Sequence, residues 1–403
     1  MSLAAAAVLA LLSVAFIKLD RWLWGSALTP GVVLASGYAA IVLIYGIASG
    51  FYEFADVRWT THAALALFIG ACMLCSVIAA AALRWRRREI HTEVRGSGAA
   101  PLTLMLLALT TFLPLAVVTS LANGGLWSTD ARDAMSGGLI GHLHVLLAFA
   151  TVWFAVGGRN RGPFRALLLV TGIAALSLYP VKGWTLIPLV AVILALIYRA
   201  SGHGSTWKYI LLLGLAGTAV FFTIYVARAD LGGGDAEVVS EVFSAVFEHF
   251  LFYLTAGLFG LDAVIQGLQL PGGPVLLFAP LHNFVALLIG NEFLSPISAV
   301  FVDGMESQDT GGNVYSFLGS TLGYGGVVMG ALLALLIVAG AYLCLGIAWR
   351  LRSSSLRAAA LYCVATFTFG WFEYYLWHLT PYEVTAIALL LSLPALLLRQ
   401  RLT

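Results

Sequence analysis

The chain has 403 residues, 61% of them hydrophobic and only 10% charged, with a formal net charge of +2. Soluble domains carry roughly 25% charged residues, so a soluble globular chain is excluded. The basic residues sit in short clusters beside apolar runs rather than on one broad face, so no nucleic-acid partner is expected.

Apolar runs of about 18 to 22 residues recur, the length that crosses a hydrocarbon core about 30 Å thick. Backbone groups must be satisfied internally there, and the alternation of a membrane barrel is absent, so helices are expected. The first run, Leu3 to Ile17, has no basic segment before it and no cleavage site, and reads as a retained span. Further spans are expected at 29–48, 62–83, 102–121, 139–157, 165–181, 183–199, 208–227, 324–348, 356–374 and 383–398. Cys72 and Cys75 form CMLC inside a run, and Cys344 and Cys363 also lie in runs, where cysteine acts as small apolar filler. No dense His/Cys cluster reads as a metal site. His142 and His144 form HLH, and an i, i+2 pair on a helix does not share a face.

Between the spans, Lys and Arg favour the cytoplasmic side. Lys18 and Arg21, the cluster Arg84 to Arg95, Arg159 to Arg165, Arg199 and Lys208, Arg350 to Arg357, and Arg399 and Arg401 all fall on one side, with the N-terminus opposite. Four cations remain outside: Arg58, Arg132, Lys182 and Arg228. Arg58 has Asp56 nearby, Arg132 has Asp130 and Asp133, and Arg228 has Asp230. Lys182, in the reversal SLYPVKGWTLIP, has no local acid, and a cation there snorkels or meets an anion.

The longest stretch not made of spans and short turns is 228–323, rich in acids and with Arg228 as its sole Lys or Arg. It divides the chain into a membrane domain of eight spans (1–227), this external loop region (228–323) and a membrane domain of three spans (324–403). The expected fold class is therefore all-α: a polytopic integral membrane protein of about 11 transmembrane helices. Its large external loop region would carry short or re-entrant helices, and two further spans within 247–290 would raise the count to about 13.

Three segments carry a family resemblance. GNVYSFLGSTLGYGGVVMGALLALLIVAGAYL, Gly312 to Leu343, resembles a signature of Wzy-type oligosaccharide repeat-unit polymerases, in which an Asn-x-Tyr-(Ser/Thr) run leads into a Gly-rich late span. FEHFLFYLTAGLFGLDAVI, Phe247 to Ile265, is similar to that family's Tyr-rich external segment ending in an acid. The opening also fits, with a span, a short basic loop, a Pro-led second span and an external FYEFADVRWTT. Val181-Lys182-Gly183 stands where the family often has Ser-Arg-Gly, so a point charge would replace a bidentate fork.

The resemblance implies a multi-pass enzyme of the bacterial inner membrane, N-terminus periplasmic and C-terminus cytoplasmic. It would be a metal-independent glycosyltransferase without cofactor. It would transfer glycan from undecaprenyl pyrophosphate to the non-reducing end of a new lipid-linked repeat, at the periplasmic face. A chain-length regulator and a flippase are the partners the family implies, beside the bilayer itself. An O-antigen ligase would use a similar donor. A lipid-linked oligosaccharide flippase or transporter is the rival of another class, and would place polar groups within the spans.

Such a transfer needs cations on the leaving group, a held acceptor hydroxyl and a base for its proton. Arg228, Lys182 and Arg132 are the candidates for the pyrophosphate. For the base, Asp262 lies fourteen residues after Glu248, about four helical turns and so nearly on the same face; His249 and His282 are the alternatives. Asn313, Tyr315, Asp303 and Tyr253 are candidate glycan contacts. Glu373 and His378, in WFEYYLWHLTPYE, are expected at the same depth.

Overall fold

The computed structural model describes residues 2–85, 99–125, 128–135, 138–157, 162–179, 182–199, 236–295, 300–304 and 312–400. The helices are α1 (Ser2–Leu23), α2 (Pro30–Ala48), α3 (Trp59–Ala82), α4 (Ala100–Ala122), α5 (Thr129–Met135), α6 (Gly138–Gly157) and α7 (Pro163–Leu176). They continue with α8 (Lys182–Arg199), α9 (Ala236–Ile265), α10 (Ala279–Ile289), α11 (Phe317–Gly325), α12 (Val327–Leu351), α13 (Ser354–Thr368) and α14 (Thr380–Gln400). Among the described residues there is no strand beyond an isolated antiparallel bridge between Val302 and Gly312. Seven helices in those residues are long and apolar enough to cross a membrane, and shorter apolar helices accompany them. The protein is an all-α, multi-pass membrane protein.

The starts and stops follow local chemistry. Pro30, Pro101 and Pro163 stand in the first turns of α2, α4 and α7, where the missing N–H costs nothing. Gly290, in the left-handed region at φ 76°, ends α10. Gly326, at φ 71°, separates α11 from α12, so the span expected at 324–348 is entered through a break. The expected span 208–227 lies outside the described residues. Within 228–323, α9 is 30 residues long, and its Ala245–Ile265 portion is apolar enough to span; Pro274–Ile289 is a shorter apolar helix.

Two compact units can be told apart. The first comprises Met1–Arg87, Ala229–Cys344 and Thr366–Leu379. Its interior is aromatic: Phe317 packs on Phe68 at 6.2 Å, Phe367 at 5.4 Å and Tyr374 at 5.5 Å. The N-terminus of α11 is buried in this layer, and each of its leading amides has a partner. Phe317 N donates to the Gly370 carbonyl (2.6 Å), Leu318 N to the Tyr38 hydroxyl (3.0 Å) and Gly319 N to Ser316 Oγ (3.2 Å). Those bonds also explain why α13 stops at Thr368 instead of running to 374: the Gly370 carbonyl is drawn to α11.

Helix α1 departs from expectation in the same unit. It continues past Ile17 to Leu23, with Lys18 and Arg21 exposed and Asp20 fully buried. A charge was expected to end the span. Instead Asp20 accepts hydrogen bonds from Thr29, Ser76 and Tyr342, so the helix carries it inward.

The second unit comprises Arg88–Arg228, Leu345–Ala365 and Thr380–Thr403. Helix α6 is its axis, buried continuously from Leu147 to Gly157. Small residues there, Ala148, Ala150, Thr151 and Ala155, let neighbours approach closely, as membrane helices require. Gly172 on α7 meets this surface so tightly that a Cβ would lie 2.8 Å from Thr151 Oγ1. Trp153 Nε1 donates to Ser354 Oγ at 2.7 Å, fixing α6 to the start of α13.

Candidate functional site

The N-terminal end of α6 gathers several polar groups of the second unit. His144 turns inward, its Nε2 3.3 Å from the Leu176 carbonyl and its ring against Phe112 and Tyr179 at 5.5 and 5.3 Å. His142, two residues earlier, faces the opposite way with its side chain 61% exposed. Its Nδ1 lies 2.6 Å from Glu383 Oε1, in the first turn of α14. A carboxylate only accepts, so Nδ1 carries the proton and Nε2 is left as the basic nitrogen.

Short connections bring cations to this end. Helix α5, separated from α6 by two residues, carries Arg132, whose Nε donates to Asp133 Oδ1 at 2.9 Å while its side chain stays 41% exposed. Both charges act on the Tyr179 phenol. Leu176, which closes α7 beside His144, also accepts from Thr185 Oγ1 in the first turn of α8 at 3.3 Å. Lys182 is the first residue of that helix. Arg228 lies outside the described residues.

The first unit holds the expected bases, and most have other duties. Asp262 Oδ1 accepts from Arg58 N at 2.9 Å and Thr61 Oγ1 at 2.5 Å, so this carboxylate ties the start of α3 to α9. Arg58, expected beside Asp56, donates from Nη1 to Gln266 Oε1 at 2.6 Å, one turn along from Asp262. Truncation, as Asp262→Ala, is expected to cost about 2 kcal/mol, the usual worth of a hydrogen bond to a charged group, read as a lower thermal midpoint. An unchanged midpoint would remove this tie.

Other expected residues are scattered. His282 Nδ1 is 3.4 Å from its neighbour Asn283, whose amide clamps Leu294. Asp303 is exposed, and Glu248 and Asn313 are half-buried. Tyr315 requires correction as a glycan contact: it is fully buried, with its hydroxyl 3.2 Å from the Val300 carbonyl, so no sugar reaches its ring. Its bulk fills the space beside Gly260.

Tyr253 and His249 do come together, with ring centroids 5.2 Å apart, and Tyr253 stacks on Phe372 at 5.5 Å. Phe372 leads into a turn where Glu373 Oε1 accepts from Trp377 Nε1 and lies near His378 Nε2, both at 3.0 Å. Burial first, and then the Glu373 carboxylate, hold the Tyr375 hydroxyl well above its ordinary pKa. Among the described residues no group of three or more His, Cys, Asp and Glu is placed to hold a metal ion.

His142 as a base, and its partner Glu383, are the candidate groups that sequence reasoning missed. Glu383 lies 241 positions from His142, and no spacing rule links them. The available signal was topological: both were expected at the same end of their spans. A model for a family of unknown function, DUF6337, matches residues 99–402, which include α4–α8 and α14 with His142 and Glu383. No curated protein and no solved structure matches the chain. With well over half of its length matched by that model, the chain belongs to the DUF6337 family.

Proposed function

We propose that this protein is a membrane glycosyltransferase that polymerises lipid-linked oligosaccharide repeats, drawing on undecaprenyl-pyrophosphate-linked glycan. The observation that carries the reading is the His142–Glu383 pair: an exposed imidazole with Nδ1 anchored on a carboxylate, at the end of α6 that α5 and α8 also border. Such an imidazole is a general base. Arg132 and Lys182, with Arg228 by its place in the sequence, supply charge for an anionic leaving group.

In the reaction the acceptor hydroxyl oxygen bonds to the anomeric carbon of the donor sugar. The bond from that carbon to the pyrophosphate oxygen breaks. The hydroxyl proton passes to His142 Nε2, and Glu383 stabilises the imidazolium that forms. Lipid pyrophosphate leaves as an anion. The distribution of Lys and Arg supports a periplasmic position for this end, at a bacterial inner membrane in this reading. Within the first unit, Tyr253 is half-buried and stacked on Phe372, a candidate glycan contact in its own right.

Purified protein in nanodiscs, given lipid-linked repeat, is expected to yield a ladder of extended products on a gel. Transfer of glycan to a lipid A core without a ladder would make it a ligase. Translocation without any new glycosidic bond would sink the enzymatic reading altogether.

A further inference from the structure

Asp20 belongs to neither end of the proposed chemistry. It sits near the end of α1, fully buried, as are Thr29, Ser76 and Tyr342 around it. Tyr342 Oη donates to Asp20 Oδ2 at 2.6 Å, Thr29 Oγ1 donates to the same oxygen, and Ser76 Oγ donates to Oδ1 at 2.5 Å. Trp24 Nε1 completes the set, donating to Ser76 Oγ at 2.9 Å, and its ring packs between Trp85 and Tyr342.

Charge is what this cluster lacks. Among the described residues the groups facing Asp20 are neutral: Trp24 after α1, Thr29 before α2, Ser76 on α3 and Tyr342 on α12. Lys18 and Arg21, its neighbours on α1, point away and are exposed. Among the described residues no Lys, Arg or His bonds to it. An ionised carboxylate enclosed this way within a span is expensive, and a protein normally supplies a cation or neutralises the group.

The geometry offers the second route. Thr29 Oγ1 and Tyr342 Oη are 3.1 Å apart, and either can donate to the other. Oδ2, Oγ1 and Oη thus form a triangle of three oxygens. With a proton on Oδ2, the acid donates to Thr29, Thr29 to Tyr342 and Tyr342 back to Oδ2. Ser76 still donates to Oδ1, and Trp24 to Ser76. Every hydrogen has an acceptor, and the net charge is zero.

We propose that Asp20 is a proton-binding site, carrying its proton at neutral pH within this closed ring. The ligand is a proton rather than a metal cation, because oxygens 2.5–2.6 Å apart leave no space for an ion between them.

Infrared spectra of the full chain in nanodiscs at neutral pH test this. A carboxylic-acid carbonyl band that shifts on deuteration is expected in wild type and absent in Asp20→Asn. The Asn variant is also neutral, but its amide nitrogen cannot accept from Tyr342, so its midpoint should fall by about 3 °C. Thr29→Val removes the acceptor of the acid proton, so the band should move to higher frequency. Two results would overturn the proposal: no acid band lost in folded Asp20→Asn, or an unmoved band in folded Thr29→Val. Stabilisation of wild type, but not of Asp20→Asn, by sodium over choline would equally overturn it in favour of a cation.

Discussion

His142→Ala is expected to lower the rate of repeat extension about 10²- to 10⁴-fold, the usual worth of a positioned general base. The fold should be untouched, because the side chain is 61% exposed and its ring packs in no aromatic cluster of the described residues. Glu383→Gln should cost nearly as much for a different reason. A glutamine can donate its amide to Nδ1, which moves the imidazole proton to Nε2 and removes the base. Removing both groups should cost little more than removing one, since they act as a unit. The loss should fall on kcat more than on KM. If both single variants give wild-type ladders from folded protein, His142 is not the base.

How far the sequence anticipates this molecule differs between fold and site. Helix identity was legible because a span must be both long and apolar, and the runs at 29–48, 102–121 and 139–157 coincide with α2, α4 and α6 to within two residues. The breaks were not. Gly326 and Gly370 interrupt apolar runs that hydropathy alone joins, and their backbone partners, such as Phe317 N on the Gly370 carbonyl, are fixed by tertiary contact. Asp20 reads as a loop charge because nothing adjacent in sequence announces three hydroxyls from three other elements. The candidate site was not legible as such: the sequence offered Asp262, Glu248, His249 and His282 as bases, and His142 only as half of an HLH pair. Nor was pairing, since Asp262 meets Thr61 at a separation of 201 residues and His142 meets Glu383 at 241. Residue type suggests what a group can do, while the partner that decides its task comes from packing.

The close approach of α9 to the segment after α13 yields a large expected effect on stability. At Gly257 a Cβ would strike the Trp371 carbonyl oxygen, lie 2.6 Å from the Phe372 carbonyl oxygen and 3.0 Å from the Phe372 Cα. All three are backbone atoms, so no side chain can rotate aside. Gly257→Ala must push the two backbones apart, and overpacking of this kind costs about 3 kcal/mol, at the upper end of its usual range. The melting midpoint should fall by roughly 6–12 °C. Gly70, on α3, is the matched control, because a Cβ there meets nothing within 4 Å. Gly70→Ala should leave the midpoint unchanged or raise it slightly, through the better helix propensity of alanine. Equal midpoints for the two variants, measured by tryptophan fluorescence in detergent, would mean that α9 does not approach so closely. The contact matters beyond stability: it lies one turn from Tyr253, and the same approach seats that ring on Phe372. Gly257→Ala should therefore also weaken any glycan binding that depends on the Tyr253 face, while Gly70→Ala leaves it intact.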